Sequence, residues 1–262
     1  MPRPLVLLSN DDGHASEGIS ALRAALRERC DVILVAPETE QSAASHALTL
    51  HRPLRIRAID EATFAIDGTP ADCVYVALHA GHIVPRVPDL VVSGVNHGPN
   101  LGQDVFYSGT VAAAREGALR GIPALAASAH TKADFAAAAA LAAELAEALL
   151  AAAPAGNPNA PQKERGRGVL LNLNVPRDWT RARGVAYARL GQRFYDEVVD
   201  MRKDPRGRDY CWIGGPGVHH DDRPGTDTSL FNEGRATVSP LILDLGDEAG
   251  APFVEHLVRG MV

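Results

Sequence analysis

Leu5-Val6-Leu7-Leu8-Ser9-Asn10-Asp11-Asp12-Gly13 is the stretch on which the fold turns. Four apolar residues in a row, too few for a buried helix, are the mark of a strand covered on both faces of a parallel sheet. Gly13 permits a tight turn, and Ile19, Leu22 and Leu26 then recur at helical spacing across residues 17–29. The strand pattern returns at 32–35 (VILV) and again at 90–93 (LVVS), with a helical stretch at 71–80 between them. Further helices are predicted at 110–120 and 133–153, and strands at 123–127 and 169–173. This βαβ alternation predicts a doubly wound α/β sheet through about residue 176.

Beyond Pro176 the texture changes. Short β-like pieces at 185–190, 194–199, 209–213 and 236–245 are separated by Gly/Pro-rich turns, and an amphipathic helix is expected near 252–260. Residues 154–168 carry Pro, Gly, Asn and charge without an apolar period and read as a surface loop. At 262 residues with 46% apolar and 22% charged side chains the chain can bury a core, which excludes a disordered or disulfide-stapled class. With 26 basic against 32 acidic residues, the net charge of −6 has the wrong sign for holding duplex nucleic acid through its phosphates. Cys30, Cys73 and Cys211 form no C-x-x-C pair, so neither a disulfide framework nor a zinc site is expected. The apolar run after Met1 is too short for a signal core, and Glu144 and Glu147 interrupt the Ala-rich run at 133–153. A cytoplasmic protein without a membrane span is expected.

The chemistry gathers where strands end. Asp11 and Asp12 follow the first strand, in the position where open α/β sheets collect ligands. Two adjacent acids there repel each other unless a cation neutralises them or one takes a proton. A single Asp capping the following helix would account for one of them equally well. The second strand leads through Glu38 to Gln41-Ser42-Ala43-Ala44-Ser45, and the strand at 90–93 leads to Asn96, His97 and Asn100. Carboxylate, hydroxyl and amide oxygens suit a hard divalent cation such as Mg²⁺ or Mn²⁺. Ser108-Gly109-Thr110 precedes a helix whose first N–H groups form an anion site, although Ser108 or Thr110 as a plain N-cap is an equal alternative. Neither G-x-G-x-x-G nor a Walker loop occurs here, so dinucleotide and P-loop chemistry are not supported. The ten histidines form no ligand motif; His97 in the glycine-rich loop is the one to watch, and His219-His220-Asp221-Asp222 reads as exposed.

Taken together these segments resemble the SurE survival-protein family of metal-dependent nucleoside-monophosphate phosphatases. The resemblance rests on SNDDG at 9–13, the QSxxS loop at 41–45, GTPADCV at 68–74 and PDLVVSGVNHGPNLGQDVFYSGTVAAAREG at 88–117. LNLNVP at 171–176, DPRG at 204–207 and GTD at 225–227 extend it. It implies a Rossmann-like three-layer α/β/α sandwich with a mostly parallel sheet and a C-terminal β-hairpin extension. It is expected to form one domain over 1–262, with an α/β core at 1–176 and an arm plus helix at 177–262. It assigns one divalent cation per subunit to Asp11, Asp12, Ser42 and Asn96, and the substrate phosphate to Asn100, Ser108, Gly109 and Thr110. The implied activity is a 5′-nucleotidase, with 3′-monophosphates as further substrates, in a homodimer or homotetramer with exchanged arms. Departures are Ala43 where the family has Gly, HASEG after the acidic pair, and VSPL at 238–241.

Two mechanisms follow for Asp11 and Asp12. In one they hold a cation that activates the attacking water. In the other, one of them is the nucleophile of a phospho-aspartate. A third reading is not an enzyme: a metal-binding phospho-receiver module with Lys132 beside the acidic pocket, which would leave the SGT loop and the arm unexplained. The exposed-looking aromatics Phe194, Tyr195, Tyr210 and Trp212 are expected to cover a neighbouring subunit.

Overall fold

A computed structural model describes residues 3–152, 168–196, 198–214, 217–220 and 223–259. The chain opens with β1 (Leu5–Ser9), α1 (Glu17–Arg27) and β2 (Asp31–Pro37), continues through a hairpin of β3 (Ile56–Asp60) and β4 (Thr63–Ile66), and enters α2 (Pro70–His79). Then come β5 (Leu90–His97), a 3₁₀ turn at Gly102–Phe106, α3 (Gly109–Leu119), β6 (Ala124–Ala129), α4 (Phe135–Ala152) and β7 (Leu170–Val175). The remainder holds β8 (Val185–Tyr187), β9 (Arg193–Tyr195), β10 (Val199–Lys203), β11 (Asp209–Ile213), β12 (Val218–His220), α5 (Asp227–Asn232), β13 (Ala236–Leu241) and α6 (Ala251–Arg259).

Nine strands form the central sheet in the order β3-β4-β2-β1-β5-β6-β7-β13-β8. All pairs from β4 to β7 are parallel, whereas β3 against β4 and β13 against β7 are antiparallel. Successive side chains of β1 explain its unbroken apolar run. Val6 and Leu8 pack with Ile19, Leu22 and Leu26 of α1 and with α4 on one face. Leu7 packs with Cys73 and Val74 of α2 and with Val111 of α3 on the other. Helices therefore cover both faces of a Rossmann-like α/β/α sandwich, and each such fully buried Leu or Ile contributes about 1.5–3 kcal/mol.

The GTPADCV motif acts at the start of α2. Thr69 Oγ1 accepts from the Asp72 amide and Asp72 accepts from the Thr69 amide, with Pro70 in the first turn. Asp72 also takes the Thr49 amide and hydroxyl, at 2.8 and 2.7 Å, which fastens the loop after β2 to this helix.

α4 is the one described helix long and apolar enough to cross a membrane by length and composition. It lies against the sheet instead, burying Phe135, Ala138, Leu141, Ala142 and Leu149. The surface loop expected at 154–168 lies outside the described residues except for Gly168. Past Pro176 the chain is more than an appendage, because β13 and β8 extend the central sheet beyond β7. Among the described residues β10 and β11 pair only with each other, as do β9 and β12.

Candidate functional site

The strand order reverses between β1 and β5: the chain winds outward through β2 and β4 from one, and through β6 and β7 from the other. At such a switch point the loops after two adjacent strands part and leave a crevice at their carboxyl ends. Here a cleft of about 380 Å³ is lined by Asp11 and Asp12 after β1, Glu40 and Ser42 after β2, and Asn96 and Asn100 at the end of β5. Asp104, Ser108 and, from β9, Arg193 and Tyr195 complete its walls.

Each polar group is aimed by its neighbours. The Asp11 carbonyl accepts the Gln41 amide at 2.8 Å, and Ser45 bonds the backbone of Tyr107 and Phe106, so the Ser42 loop is tied down at both ends. Ser42 Oγ donates to Glu40 Oε1 at 2.6 Å, leaving its lone pairs to the cleft. Asn96 Nδ2 donates to the Gly98 carbonyl at 2.7 Å, which leaves Oδ1 as the acceptor of that side chain. Asp12 Oδ2 accepts from the His97 amide at 3.1 Å. Asn100 is held from below: its amide donates to Asn174, its Nδ2 to Ser128 at 2.8 Å, and its carbonyl accepts from Asn172 and Asn174.

Asp11 is only 6% exposed. Thr110 Oγ1 and the Thr110 amide both bond its carboxylate, so the first turn of α3 already has an anion, supplied by the protein itself. Gly109 is required by that approach. A Cβ there would stand 2.8 Å from Asp11 Cβ and 2.9 Å from its Oδ2. Ser108 Oγ accepts the Val111 amide at 3.0 Å as the helix cap, while its hydroxyl hydrogen has no described acceptor.

The structure thus brings Asp11, Asp12, Ser42, Asn96, Asn100 and Ser108 to one cleft, with Gly109 and Thr110 directly behind Asp11. Burial, followed by the repulsion of Asp12, pushes the Asp11 carboxyl up to about 6 against the pull of Thr110. Burial also raises Asp12, with Glu40 adding to the rise and the His97 amide opposing it. For a carboxyl raised in the fold, the stabilising neutral form is complete below the ordinary carboxylate value and is lost as pH rises through about 6. Ionising both carboxyls in this buried position is therefore unfavourable, a cost that a cation between them would offset.

Among the described residues no three His, Cys, Asp or Glu side chains gather as a metal cluster. The donor set at the cleft is two carboxylates with hydroxyl and amide oxygens, the hard-cation chemistry that Mg²⁺ or Mn²⁺ takes. Ala43 and Ser45 in the Ser42 loop hold φ of +57° and +53°, the left-handed region in which Gly is most at ease. Glu40, Asp104 and Arg193 are not anticipated from the sequence, and Tyr195 is anticipated only as an aromatic covering a neighbouring subunit, whereas its hydroxyl meets Asp104 of the same chain. Glu40, two residues before Ser42, was open to notice; the other three meet only through the folding of the arm. His97 offers its backbone to Asp12 and its ring to Phe135, with centroids 4.4 Å apart. His219 is exposed beside Asp196, and Asp221 and Asp222 lie outside the described residues.

Fold and cleft together define a doubly wound α/β protein with an acidic, oxygen-lined cleft at its switch point. The model of the family described as survival protein SurE matches residues 6–197, and the chain belongs to that family. It is 54% identical over 246 residues to a protein of Sorangium cellulosum named 5′-nucleotidase SurE, covering 93% of this chain and 91% of that one. A Vibrio cholerae protein of the same name is 42% identical over 258 residues, covering 98% of each. The crystal structure of the SurE protein from Aquifex aeolicus superposes with a TM-score of 0.78 at 35% identity, over 97% of this chain and 99% of that one.

Proposed function

We propose that this chain is a divalent-metal-dependent phosphomonoesterase that hydrolyses nucleoside 5′-monophosphates, and 3′-monophosphates as a second class, to nucleoside and phosphate. The observation that carries the reading is the convergence of Asp11, Asp12, Ser42 and Asn96 on one cleft beside the first turn of α3. Relatives named 5′-nucleotidase SurE, similar over nearly the whole chain, support the substrate class. The four side chains fit one Mg²⁺ or Mn²⁺: burial raises both adjacent carboxyls, and the amide of Asn96 is turned with its oxygen unspent. Such a cation supplies Lewis acidity, offsetting phosphate charge and acidifying water.

The protein groups do the rest. Asn100 and Ser108 orient the phosphate oxygens, each with a hydrogen still to give. Thr110 and Gly109 hold Asp11 in place, the one by its hydrogen bonds and the other by having no side chain. As water attacks phosphorus, a carboxylate of the pair accepts its proton, and that proton passes to the ester oxygen, which leaves as the hydroxyl of the nucleoside. Phosphate release from a panel of nucleoside monophosphates tests this. Release with Mn²⁺ that falls about a hundredfold or more with chelator is expected; release that ignores the chelator contradicts it.

The same reading places one domain over 1–262 and a homo-oligomer built through the arm. The β10–β11 hairpin exposes Val199, Met201, Tyr210, Trp212 and Ile213, and an isolated two-stranded hairpin is marginal on its own. A mass in solution of two or four chains is expected, and a single chain at working concentration contradicts exchange.

A further inference from the structure

Four carboxylates line the cleft, from Asp11, Asp12, Glu40 and Asp104, while Arg193 is the one Arg or Lys among the described lining residues. An anionic substrate entering such a site needs positive charge from the protein as well as from a cation. Arg193 opens β9, far along the chain from the strand-end loops, and its side chain is only 15% exposed. Backbone bonds place it: the Arg193 amide donates to Gln103 Oε1 at 2.9 Å, and Gln103 Nε2 returns a bond to the Arg193 carbonyl. Its guanidinium is fixed through Nη1, which donates to Asp104 Oδ2 at 2.5 Å and to the Pro99 carbonyl at 3.2 Å. The Tyr195 hydroxyl, 2.8 and 2.9 Å from the two oxygens of Asp104, holds that carboxylate in turn.

These bonds use one nitrogen of three. Nε is buried without a hydrogen-bond partner, and the described bonds of the guanidinium leave Nη2 unused. Arginine presents its donors in a rigid planar fork, and an edge with two nitrogens unspent matches two oxygens of a phosphate. Arg193 lines the cleft, and a residue serving only to brace the loops would not need these donors left unpaired.

We propose that Arg193 is a phosphate-binding residue of this site, supplied by the arm, whose Nη2 and Nε edge takes the non-bridging oxygens of the substrate ester and then of the released phosphate. The proposal rests on the phosphomonoesterase reading of the same cleft. It ties substrate binding to the seating of β9.

The test is titration of the Mn²⁺-loaded full chain with inorganic phosphate, beside steady-state kinetics on a nucleoside monophosphate, for the native protein and the R193M, R193K and D104N variants. R193M is expected to weaken inorganic phosphate, and to raise KM, by about tenfold or more, with Mn²⁺ affinity unchanged. R193K recovers part of the loss, since it restores charge without the fork. D104N removes the carboxylate that fixes the guanidinium and is expected to weaken phosphate by less than R193M does, because the fork itself remains. Unchanged phosphate affinity in R193M overturns the proposal, as does a matching loss of Mn²⁺ affinity in that variant, which would make Arg193 a brace of the loops. Melting curves of the variants exclude misfolding. A native protein that releases no phosphate from any nucleoside monophosphate refutes the hydrolase reading instead, while the inorganic-phosphate titration still decides the role of Arg193.

Discussion

Asp12→Asn is expected to lower phosphate release from a nucleoside monophosphate by about a thousandfold while leaving the melting temperature of the metal-free protein unchanged or higher. The asymmetry has a physical cause. Asp12 is raised by burial and by Glu40, so its charge serves the fold poorly, as the proposed role in holding a cation requires. Asn keeps the acceptor oxygen for the His97 amide, which approaches at 3.1 Å, and removes only the charge. Turnover within about tenfold of the native rate at saturating Mn²⁺ would remove Asp12 from the chemistry.

Gly109→Ala is the second large effect, and it acts from outside the cleft. The added Cβ would press on Asp11 at 2.8 Å and on Pro70 Cγ at 3.0 Å, both in a packed interior. A displacement of Asp11 approaching 1 Å costs about a hundredfold in rate. Crowding of this kind also costs about 1–3 kcal/mol of stability, to be read from urea unfolding. Normal turnover in this variant would mean that the position of Asp11 does not matter to the reaction.

Legibility in the sequence followed burial and strand ends. β1, β2 and β5 were readable because both faces of each are covered, so their apolar residues run without a break. β3 escaped notice: it lies at the sheet edge with all five residues exposed, and Arg57 and Asp60 break any apolar pattern. β13 was recognisable as a strand, yet its place beside β7 was not, since antiparallel pairing across some sixty residues leaves no local trace. The site divides in the same way. Asp11, Asp12, Ser42, Asn96, Asn100 and Ser108 follow strands or precede a helix, and that position together with the family resemblance made them candidates. Thr110 was expected at the phosphate; its hydroxyl is engaged by Asp11, a contact between β1 and α3 that only packing reveals. Arg193 lies in a three-residue strand of the arm, where neither period nor motif distinguishes it from the other arginines.

The most direct measurement is anomalous diffraction from a crystal of the native chain soaked in Mn²⁺. One peak is expected per chain, within coordination distance of carboxylate oxygens of Asp11 and Asp12, Ser42 Oγ and Asn96 Oδ1, at about 2.0–2.3 Å for a cation of this size. A fully soaked crystal with no peak in that cleft, or with Mn²⁺ bound only elsewhere, would contradict it.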